Sequence, residues 1–312
     1  MQYRLLGKTG LHLSVLGFGA SPLGGVFGSV DEREAIRAVH TAIELGVNYF
    51  DVAPYYGNTQ AERVLGKALK TIPRDAYHLS TKVGRYGDTD FDFSADRVTR
   101  SVDESLRRLN LDYVDLIICH DIEFGSLEQV INETIPALRR LQAAGKVGYI
   151  GISGLPLQIF RHVSKQTEID FILSYCHYCL NDTSLLDLAP SLKAEGIGII
   201  NASPLSMGLL TEAGPPEWHP APAMLKAKCA EAARYCRSKG VDIAQLALQF
   251  SLAQYDFTST LVGISRPEEI VANIQQLNQK LDKELLSEVQ AILQPVHNLS
   301  WLSGRPENNS IQ

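Results

Sequence analysis

The sequence has no long hydrophobic run and no excess of positive charge, and each shortage excludes a class of protein. No run approaches the ~18 consecutive apolar residues of a membrane-spanning helix. The formal net charge is −6 and no basic run is present, so we expect neither a nucleic-acid partner nor an anionic membrane surface. The opening stretch MQYRLLGKTG also lacks the apolar core of an export signal. We therefore expect a cytosolic protein that binds a small molecule.

Cysteine is scarce and irregularly spaced. The chain contains 5 cysteines, an odd number scattered along its length, which fits a reducing compartment better than a disulfide framework. Cys176 and Cys179 form a C-x-x-C pair, but no second pair of ligands follows at zinc-site spacing. We predict no metal site.

What the sequence does contain is an alternation of short apolar segments with amphipathic ones. Eight strand candidates are rich in β-branched and aromatic residues: Leu16–Phe18, Tyr49–Phe50, Tyr77–Ser80, Tyr113–Ile118, Val147–Ile152, Phe171–Ser174, Gly198–Asn201 and Thr260–Gly263. Segments with helical spacing lie between them: Glu32–Leu45, Ala61–Leu69, Ala95–Leu109, Leu127–Ala144, Leu157–Val163, Leu185–Ala194, Ala223–Lys239 and Pro267–Leu277. Asp31 and Ser94 are predicted to cap two of these helices.

This alternation predicts parallel strands, because each return to the sheet needs a crossover long enough to hold a helix. Eight units over about 260 residues fit an α/β fold of the closed (β/α)₈ TIM-barrel type. An open doubly wound sheet is the alternative, but the stretch GFGASPLGG has no G-x-G-x-x-G register. An N-terminal hairpin over Tyr3–Val15 and a C-terminal helix near Lys283–Leu293 with a polar tail complete one domain, residues 1–312.

Polar residues end several of the predicted strands, where a barrel of this kind carries its reacting groups. Asp51 ends the second strand, with Tyr55 and Tyr56 just beyond it. Lys82 ends the third strand and His120 follows the fourth. Each of these residues alone could be an ordinary solvated or packing residue. Their combination on three successive strands is not explained in that way.

The combination predicts a proton-transfer site. A phenol has an unperturbed pKa of about 10, which is too high for ready proton exchange near neutrality. A neighbouring ammonium lowers that pKa, and a carboxylate paired with the ammonium keeps it charged and fixed. We assign these parts to Tyr56, Lys82 and Asp51. His120 is predicted to orient the oxygen of a carbonyl or alcohol, with hydride carried by a cofactor.

Seven stretches together resemble the aldo-keto reductase superfamily over nearly the whole chain: GFGA, FDVAPYYG, STK, LDYVDLIICH, GKVGYIGIS, SPLSMGLL and VGISRPEEIVANI. The resemblance implies a (β/α)₈ barrel that binds a nicotinamide dinucleotide across its strand ends. It also implies an Asp-Tyr-Lys-His tetrad, which falls on Asp51, Tyr56, Lys82 and His120.

The resemblance further implies a set of cofactor contacts: Gly19, Ala20, Asp51, Ser153, Gly154, Ser174, Tyr175, Ser203, Leu205, Gly208, Gly263, Ser265, Arg266, Glu269 and Asn273. Two positions depart from the family pattern. Gly154 stands where an asparagine usually follows the serine, and Ala202 stands where an aromatic residue commonly stacks on the nicotinamide. Tyr175 is the candidate to replace that aromatic.

Glu269 favours NAD over NADP. Many NADP-using members carry an arginine there that grips the 2′-phosphate, which a carboxylate would repel. Gly263 likewise removes a lysine contact, whereas Arg266 remains a candidate phosphate ligand. The acid at position 269 also has a simpler explanation as an ordinary charge at a helix N-terminus.

A narrower likeness, in stretches such as FDFSADRV and ISGLPLQIF, is to plant members that oxidise a sugar. It implies a sugar substrate oxidised at C1 with NAD on the route to ascorbate, by a monomer or weak homo-oligomer. The expected substrate contacts are Tyr56, His120, Tyr55, Asp121 and Trp301. Two alternatives stay open: an NADPH-dependent reductase of aldehydes or ketones, and a cofactor-binding regulatory subunit.

Overall fold

The chain, which a computed structural model describes from residue 1 to residue 311, begins with the predicted hairpin. Strands β1 (Tyr3–Leu5) and β2 (His12–Ser14) pair antiparallel. The turn between them lies against residues 196–198, where Lys8 N–H donates to the Gly196 carbonyl at 3.0 Å. Gly7 has φ +49°, and a Cβ on it would lie 2.5 Å from the Gly196 oxygen. The hairpin therefore closes one end of the molecule and leaves the opposite end for chemistry.

Eight parallel strands of the described chain close into a barrel. They are β3 (Leu16–Gly19), β4 (Tyr49–Asp51), β5 (His78–Val83), β6 (Val114–Cys119), β7 (Val147–Gly154), β8 (Phe171–Tyr175), β9 (Gly198–Ala202) and β10 (Ser259–Gly263). Each strand pairs with the next, and β10 closes the barrel on β3. The predicted (β/α)₈ barrel is confirmed. Most strands extend beyond the predicted carboxyl end, because buried polar residues such as Lys82 continue the extended backbone.

The strands are buried on both faces. Tyr49, Leu116 and Phe171 pack together inside the barrel. Their neighbours along the chain, such as Ile117 and Ile172, join the larger core between strands and helices. Side chains alternate between the two faces of a strand, so each strand is apolar along nearly its whole length. The same alternation selects which polar residues at the strand ends point into the barrel mouth.

Helices cover the outside of the barrel. They are α1 (Glu32–Glu44), α2 (Gln60–Leu69), α3 (Ala95–Leu109), α4 (Leu127–Gln129), α5 (Ile135–Ala143), α6 (Leu157–Ser164), α7 (Leu185–Glu195), α8 (Ala223–Ser238), α9 (Ile243–Leu252), α10 (Pro267–Asn278) and α11 (Lys283–Leu293). Asp31 and Ser94 cap α1 and α3 as predicted, each accepting backbone N–H groups of the first turn. Within residues 1–311, no helix combines the length and the apolar character that crossing a membrane requires.

Two helical predictions need correction. The stretch predicted as one helix over 127–144 contains a π-helical turn at Val130–Thr134. Pro136 follows in the first turn of α5, and its ring nitrogen cannot donate to the preceding turn. The second correction concerns the crossover before β10, where the helix predicted over 223–239 is present but a further helix was not predicted. The predicted helix, α8, packs against α11 outside the barrel, and the unpredicted α9 leads into β10. Apolar residues occupy most of α9, which weakens its helical period.

Candidate active site

Lys82 joins three groups at the carboxyl ends of β4 and β5. Its Nζ donates to Asp51 Oδ2 at 2.5 Å, to the Val52 carbonyl at 3.0 Å and to Tyr56 Oη at 3.1 Å. The parallel register places Asp51 beside Ser80 on β5, so the lysine two residues later reaches back over the end of β4. Lys82 is 1% exposed. The structure thus brings three of the four predicted tetrad residues into direct contact.

A buried hydrogen-bond chain holds the Asp51 carboxylate. Ser80 Oγ donates to Asp51 Oδ1 at 2.6 Å and accepts from the Tyr49 hydroxyl at 3.0 Å. Both carboxylate oxygens of Asp51 are therefore engaged, one by Ser80 and one by Lys82. Burial raises the pKa of Tyr49 well above its usual value, and the Asp51 charge adds to this rise. Tyr49 is therefore a permanent donor in the chain.

The pKa of Tyr56 differs from the prediction. Burial raises the pKa of the Tyr56 phenol to about 12, although the Lys82 charge opposes the rise. The prediction of a lowered pKa rested on the ammonium alone, and the loss of solvent has the larger effect here. For Lys82, burial acts to lower the pKa, yet the Asp51 charge and Tyr56 outweigh it and the pKa rises. Lys82 is therefore charged beside a phenol that is neutral at neutral pH.

His120 completes the group. Its ring lies edge-on to the Tyr56 ring, with centroids 5.6 Å apart and an interplanar angle of 89°. Burial lowers the pKa of His120 to about 3, so the imidazole is neutral. Nε2 lies 3.6 Å from Asp121 Oδ2, beyond hydrogen-bond distance, and the buried Nδ1 has no hydrogen-bond partner. Nε2 is the nitrogen that a substrate oxygen between His120 and Tyr56 would meet.

The two phenols of the FDVAPYYG stretch have different partners. The Tyr55 hydroxyl donates to Asp88 Oδ1 at 2.9 Å, whereas the Tyr56 hydroxyl contacts Lys82. The Arg85 guanidinium stacks over the Tyr55 ring at 3.8 Å and donates to Asp121 Oδ2 at 2.5 Å. Arg85 was not among the residues predicted from the sequence. A signal was available, because a predicted acid at the end of the fourth strand needs a cation nearby when buried.

Glu123 is a second residue that the sequence analysis missed. It is fully buried, and burial raises the pKa of its carboxyl group to about 8. Its Oε1 accepts from Leu155 N–H, from Ser303 Oγ and, at 3.4 Å, from the Tyr175 hydroxyl. A Cβ on Gly154 would lie 2.5 Å from its Oε2, so Glu123 fills the space beside that glycine. Glu123 thereby connects the loop after β6 to the C-terminal tail.

The contacts of Trp301 are with residues outside the tetrad. Its ring packs edge-on against His219, with centroids 5.0 Å apart, and against the apolar cluster of α8 and α11. The tail continues from there to Ser303, which reaches Glu123. The assignment of Trp301 as a substrate contact stays a prediction. Asp121, in contrast, is buried directly beside His120.

The predicted cofactor residues gather at the same end of the barrel. Gly19, Gly154 and Gly263 end β3, β7 and β10, and Ser174 and Tyr175 end β8. In the loop after β9, Ser203, Ser206, Met207 and Gly208 all have positive φ. Such strained backbone is concentrated at functional sites. Ser174 Oγ, Ser206 Oγ and Asn201 Oδ1 are buried without hydrogen-bond partners in the described chain. These residues fit a ligand that supplies both donors and acceptors.

Glu269 pairs with the two residues just before its own helix, α10. Its Oε2 accepts from the N–H groups of Ser265 and Arg266 at 2.8 and 3.2 Å, which caps the start of α10. Its Oε1 accepts from Arg266 Nη2 at 2.9 Å. The simpler explanation of this acid therefore applies, and it also pairs with the one candidate phosphate ligand, Arg266.

A closed (β/α)₈ barrel with aspartate, tyrosine, lysine and neutral histidine at neighbouring strand ends defines a class of barrel oxidoreductases. Residues 15–294 match the model of the Aldo/keto reductase family. The chain belongs to the aldo/keto reductase family and is an oxidoreductase, as its sequence motifs predicted.

Relatives with known names support this assignment. L-galactose dehydrogenase of Arabidopsis thaliana is 55% identical over 317 residues, 99% of each chain. D-arabinose 1-dehydrogenase of Saccharomyces cerevisiae is 33% identical over 90% of this chain and 91% of its own. Among solved structures, an aldo-keto reductase of Bacillus halodurans in its holo form has a TM-score of 0.79 at 28% identity, and the match covers 99% of this chain and 100% of that one.

Proposed function

We propose that this enzyme oxidises L-galactose at C1 to L-galactono-1,4-lactone, with NAD as the hydride acceptor. The observation that carries the proposal is the contact of Lys82 Nζ with both Asp51 and Tyr56 beside a neutral His120. The choice of substrate rests on the 55% identity, over 99% of the chain, to a protein named L-galactose dehydrogenase. A second named relative also acts at C1 of a sugar.

Tyr56 is the base in this proposal. Its phenolate, stabilised by Lys82, takes the proton of the anomeric hydroxyl, while His120 Nε2 orients that oxygen. Asp51 keeps Lys82 charged and in place. A nicotinamide dinucleotide bound across the strand ends would supply the acceptor for the hydride of C1. The sugar thereby loses one proton and one hydride, and the C1–O bond becomes the carbonyl of the lactone.

The residues at the strand ends fit a nicotinamide dinucleotide. Ser153 and Ser174 would hold the carboxamide. The Ser174 hydroxyl is buried without a hydrogen-bond partner and would gain one there. The strained loop with Ser203, Leu205 and Gly208 would hold the pyrophosphate, and Ser265 and Asn273 the adenosine. Gly19, Ala20 and Gly263 would allow close approach of the cofactor to the backbone. Because Glu269 neutralises Arg266, we propose that a free 2′-hydroxyl is preferred to a 2′-phosphate.

The sugar would lie against Tyr56 and His120, with Tyr55 and Asp121 as walls. Tyr55 presents an aromatic ring beside His120, with centroids 6.0 Å apart. A sugar favours such a wall because its C–H faces are apolar, while its hydroxyls need polar partners. We further propose that the enzyme works in the plant cytosol, on the route to ascorbate, as a monomer or weak homo-oligomer. Its five buried free thiols suit a reducing compartment.

Initial rates of NADH formation with L-galactose, D-galactose, L-fucose and L-gulose test this function. We expect the highest kcat/KM with L-galactose, and a higher kcat/KM with NAD than with NADP at equal concentration. Faster turnover of NADPH with aldehydes or ketones would instead assign the enzyme as a reductase. Retained NAD binding without turnover of any sugar would assign a regulatory role.

A further inference from the structure

The carboxylate of Asp121 lies beside His120, although this histidine is neutral. Oδ2 faces His120 Nε2 at 3.6 Å, and the Asp121 side chain is 7% exposed. The Asp121 backbone has φ +49°, and its N–H donates to Ser153 Oγ at 3.1 Å. Ser153 Oγ in turn lies 3.5 Å from Asp121 Oδ1. The strained backbone and Ser153 fix the carboxylate beside the imidazole.

Arg85 binds the carboxylate oxygen that faces the imidazole. Its Nη1 donates to Asp121 Oδ2 at 2.5 Å. The guanidinium stacks over the Tyr55 ring at 3.8 Å, and the Phe91 and Phe124 rings lie 5.3 and 5.4 Å away. With its side chain only 16% exposed, Arg85 is held on several sides. A planar guanidinium suits this position because it stacks and donates at the same time.

The groups around His120 oppose one another. Burial has the largest effect and lowers the imidazole pKa, while the Asp121 charge raises it. Lys82 and Arg85 both lower it, and the remaining titratable neighbours are the phenols Tyr55 and Tyr56. Burial alone would raise the pKa of Asp121, but the neighbouring positive charges, Arg85 above all, outweigh burial and lower it. Asp121 is therefore an anion whose attraction for an imidazole proton is opposed by burial, by Lys82 and by Arg85, and Arg85 alone of these binds the carboxylate oxygen that faces Nε2.

We propose that Arg85 is a positioning residue that acts through Asp121. By occupying Asp121 Oδ2, it adds to the effect of burial on His120 and leaves Nε2 free for the substrate oxygen. Without the guanidinium, Asp121 Oδ2 is free to pair with the imidazole, which then takes up a proton at a higher pH than in the wild type and donates Nε2–H to Asp121, and this withdraws that nitrogen from the sugar. The role of the freed nitrogen rests on the proposed function; the control of His120 by Arg85 does not.

Arg85→Met tests the proposal through the pH dependence of activity. We expect the ratio of variant to wild-type kcat/KM to fall at least about threefold between about pH 8 and about pH 5, because His120 becomes protonated in the variant alone. Arg85→Lys keeps the charge and should restore a constant ratio. Arg85→Met with Asp121→Asn should do the same, since no carboxylate is left to attract the proton.

Arg97→Met is a matched control. Arg97 also stacks on a tyrosine, 3.7 Å over the Tyr86 ring, and pairs with Glu104 at 3.2 Å. It stands outside the contacts of His120, so its loss should leave the pH profile unchanged. If Arg85→Met fails to fold, Arg85→Gln keeps a donor to Asp121 without the charge, and the same change is expected at smaller size.

NMR titration of the cofactor-free enzyme with labelled histidine gives a readout independent of activity. The His120 signals, assigned by their loss in His120→Asn, should titrate more than about two pH units higher in Arg85→Met than in the wild type. If the His120 titration shifts in this way but the wild-type enzyme turns over no sugar, the proposed function is refuted and the control of His120 by Arg85 is supported. An unshifted titration, a ratio that is constant with pH, or an acid loss that persists in the Asp121→Asn double variant would overturn it.

Discussion

Tyr56 Oη lies 3.1 Å from Lys82 Nζ, and yet burial raises the pKa of this phenol to about 12. The ammonium stabilises the phenolate, but the same burial that removes solvent from the pair favours the neutral phenol. A phenol in this state carries its proton at neutral pH, so the form that can donate is the main one, and it accepts a proton only after losing its own. The two directions of the proposed reaction therefore depend differently on pH.

Removing the Tyr56 hydroxyl tests its role in proton transfer. Tyr56→Phe is expected to lower kcat about a hundredfold or more, since general acid–base catalysis contributes that much. Tyr55→Phe is the matched control, because the Tyr55 hydroxyl contacts Asp88 and not Lys82. It should lower kcat by less than about tenfold. Steady-state NADH formation at saturating NAD and L-galactose measures kcat of both variants. Near-normal turnover of Tyr56→Phe would contradict the assignment of Tyr56 as the base.

Oxidation should accelerate as the pH rises. The active form of Tyr56 in this direction is the phenolate, which below a pKa of about 12 is a minor fraction that grows with pH. We expect kcat/KM for L-galactose to increase from about pH 6 to about pH 9, by up to about tenfold per unit. The reverse reduction uses the neutral phenol, which is the main form throughout, and should not rise. A flat oxidation profile over that range would contradict the role of the phenolate.

Breaking the buried ion pair should destabilise the fold. Asp51→Asn leaves the Lys82 charge buried at 1% exposure, with an expected loss of about 3–5 kcal/mol in the free energy of unfolding. Asp51→Asn with Lys82→Met removes both charges and should recover much of that loss. Urea unfolding monitored by circular dichroism measures the difference. The exposed Glu32–Lys67 pair provides the control, and Glu32→Gln should change little. Equal stability of single and double Asp51 variants would contradict the prediction.

Freeing Arg266 should improve the use of NADP. Glu269→Ala removes the carboxylate that pairs with this guanidinium, so a 2′-phosphate gains a cation and loses a repelling charge. The ratio of kcat/KM with NADP to kcat/KM with NAD is expected to rise about tenfold. Glu268→Ala, an exposed acid in the same turn that makes no ion pair with Arg266, is the control and should change the ratio far less. No change in Glu269→Ala would mean that this acid only caps the helix.

Two glycines hold the loops around Tyr56 in contact. A Cβ on Gly57, at φ +59°, would lie 2.0 Å from the Gly24 oxygen, and one on Gly24 would lie 2.6 Å from the Tyr56 oxygen. Gly57→Ala must separate the loops after β3 and β4 and displace Tyr56, so kcat should fall at least about tenfold. Gly145→Ala carries similar backbone strain at φ +75° in open space. It should lose stability but not kcat, and equal losses of kcat in both variants would refute the contact as the cause.

The sequence predicted the barrel well because its signals are local. A strand that is buried on both faces is apolar along its length, and an amphipathic helix repeats every few residues. The exception, α9, is a short helix with apolar residues on most of its surface, so its period was too weak to find. The polar residues that end the strands could be found in the same way, because each one interrupts an apolar run.

Contacts between loops were beyond the sequence. Arg85 and Asp121 lie 36 positions apart, and only the adjacency of β5 and β6 brings them within 2.5 Å. Glu123 meets Ser303 from 180 positions away. No periodicity connects such residues, and a buried acid by itself indicates that a partner exists without indicating which one.

The sequence by itself determined the order of strands and helices, and it determined which residues stand at the carboxyl ends of β4, β5 and β6. Only the tertiary structure decided how these groups behave. The Tyr56 pKa rises although Lys82 is adjacent, and His120 is neutral although an acid lies 3.6 Å away. The physical reason is that a period along the chain is a local property, whereas the loss of solvent around a charge depends on every element packed against it.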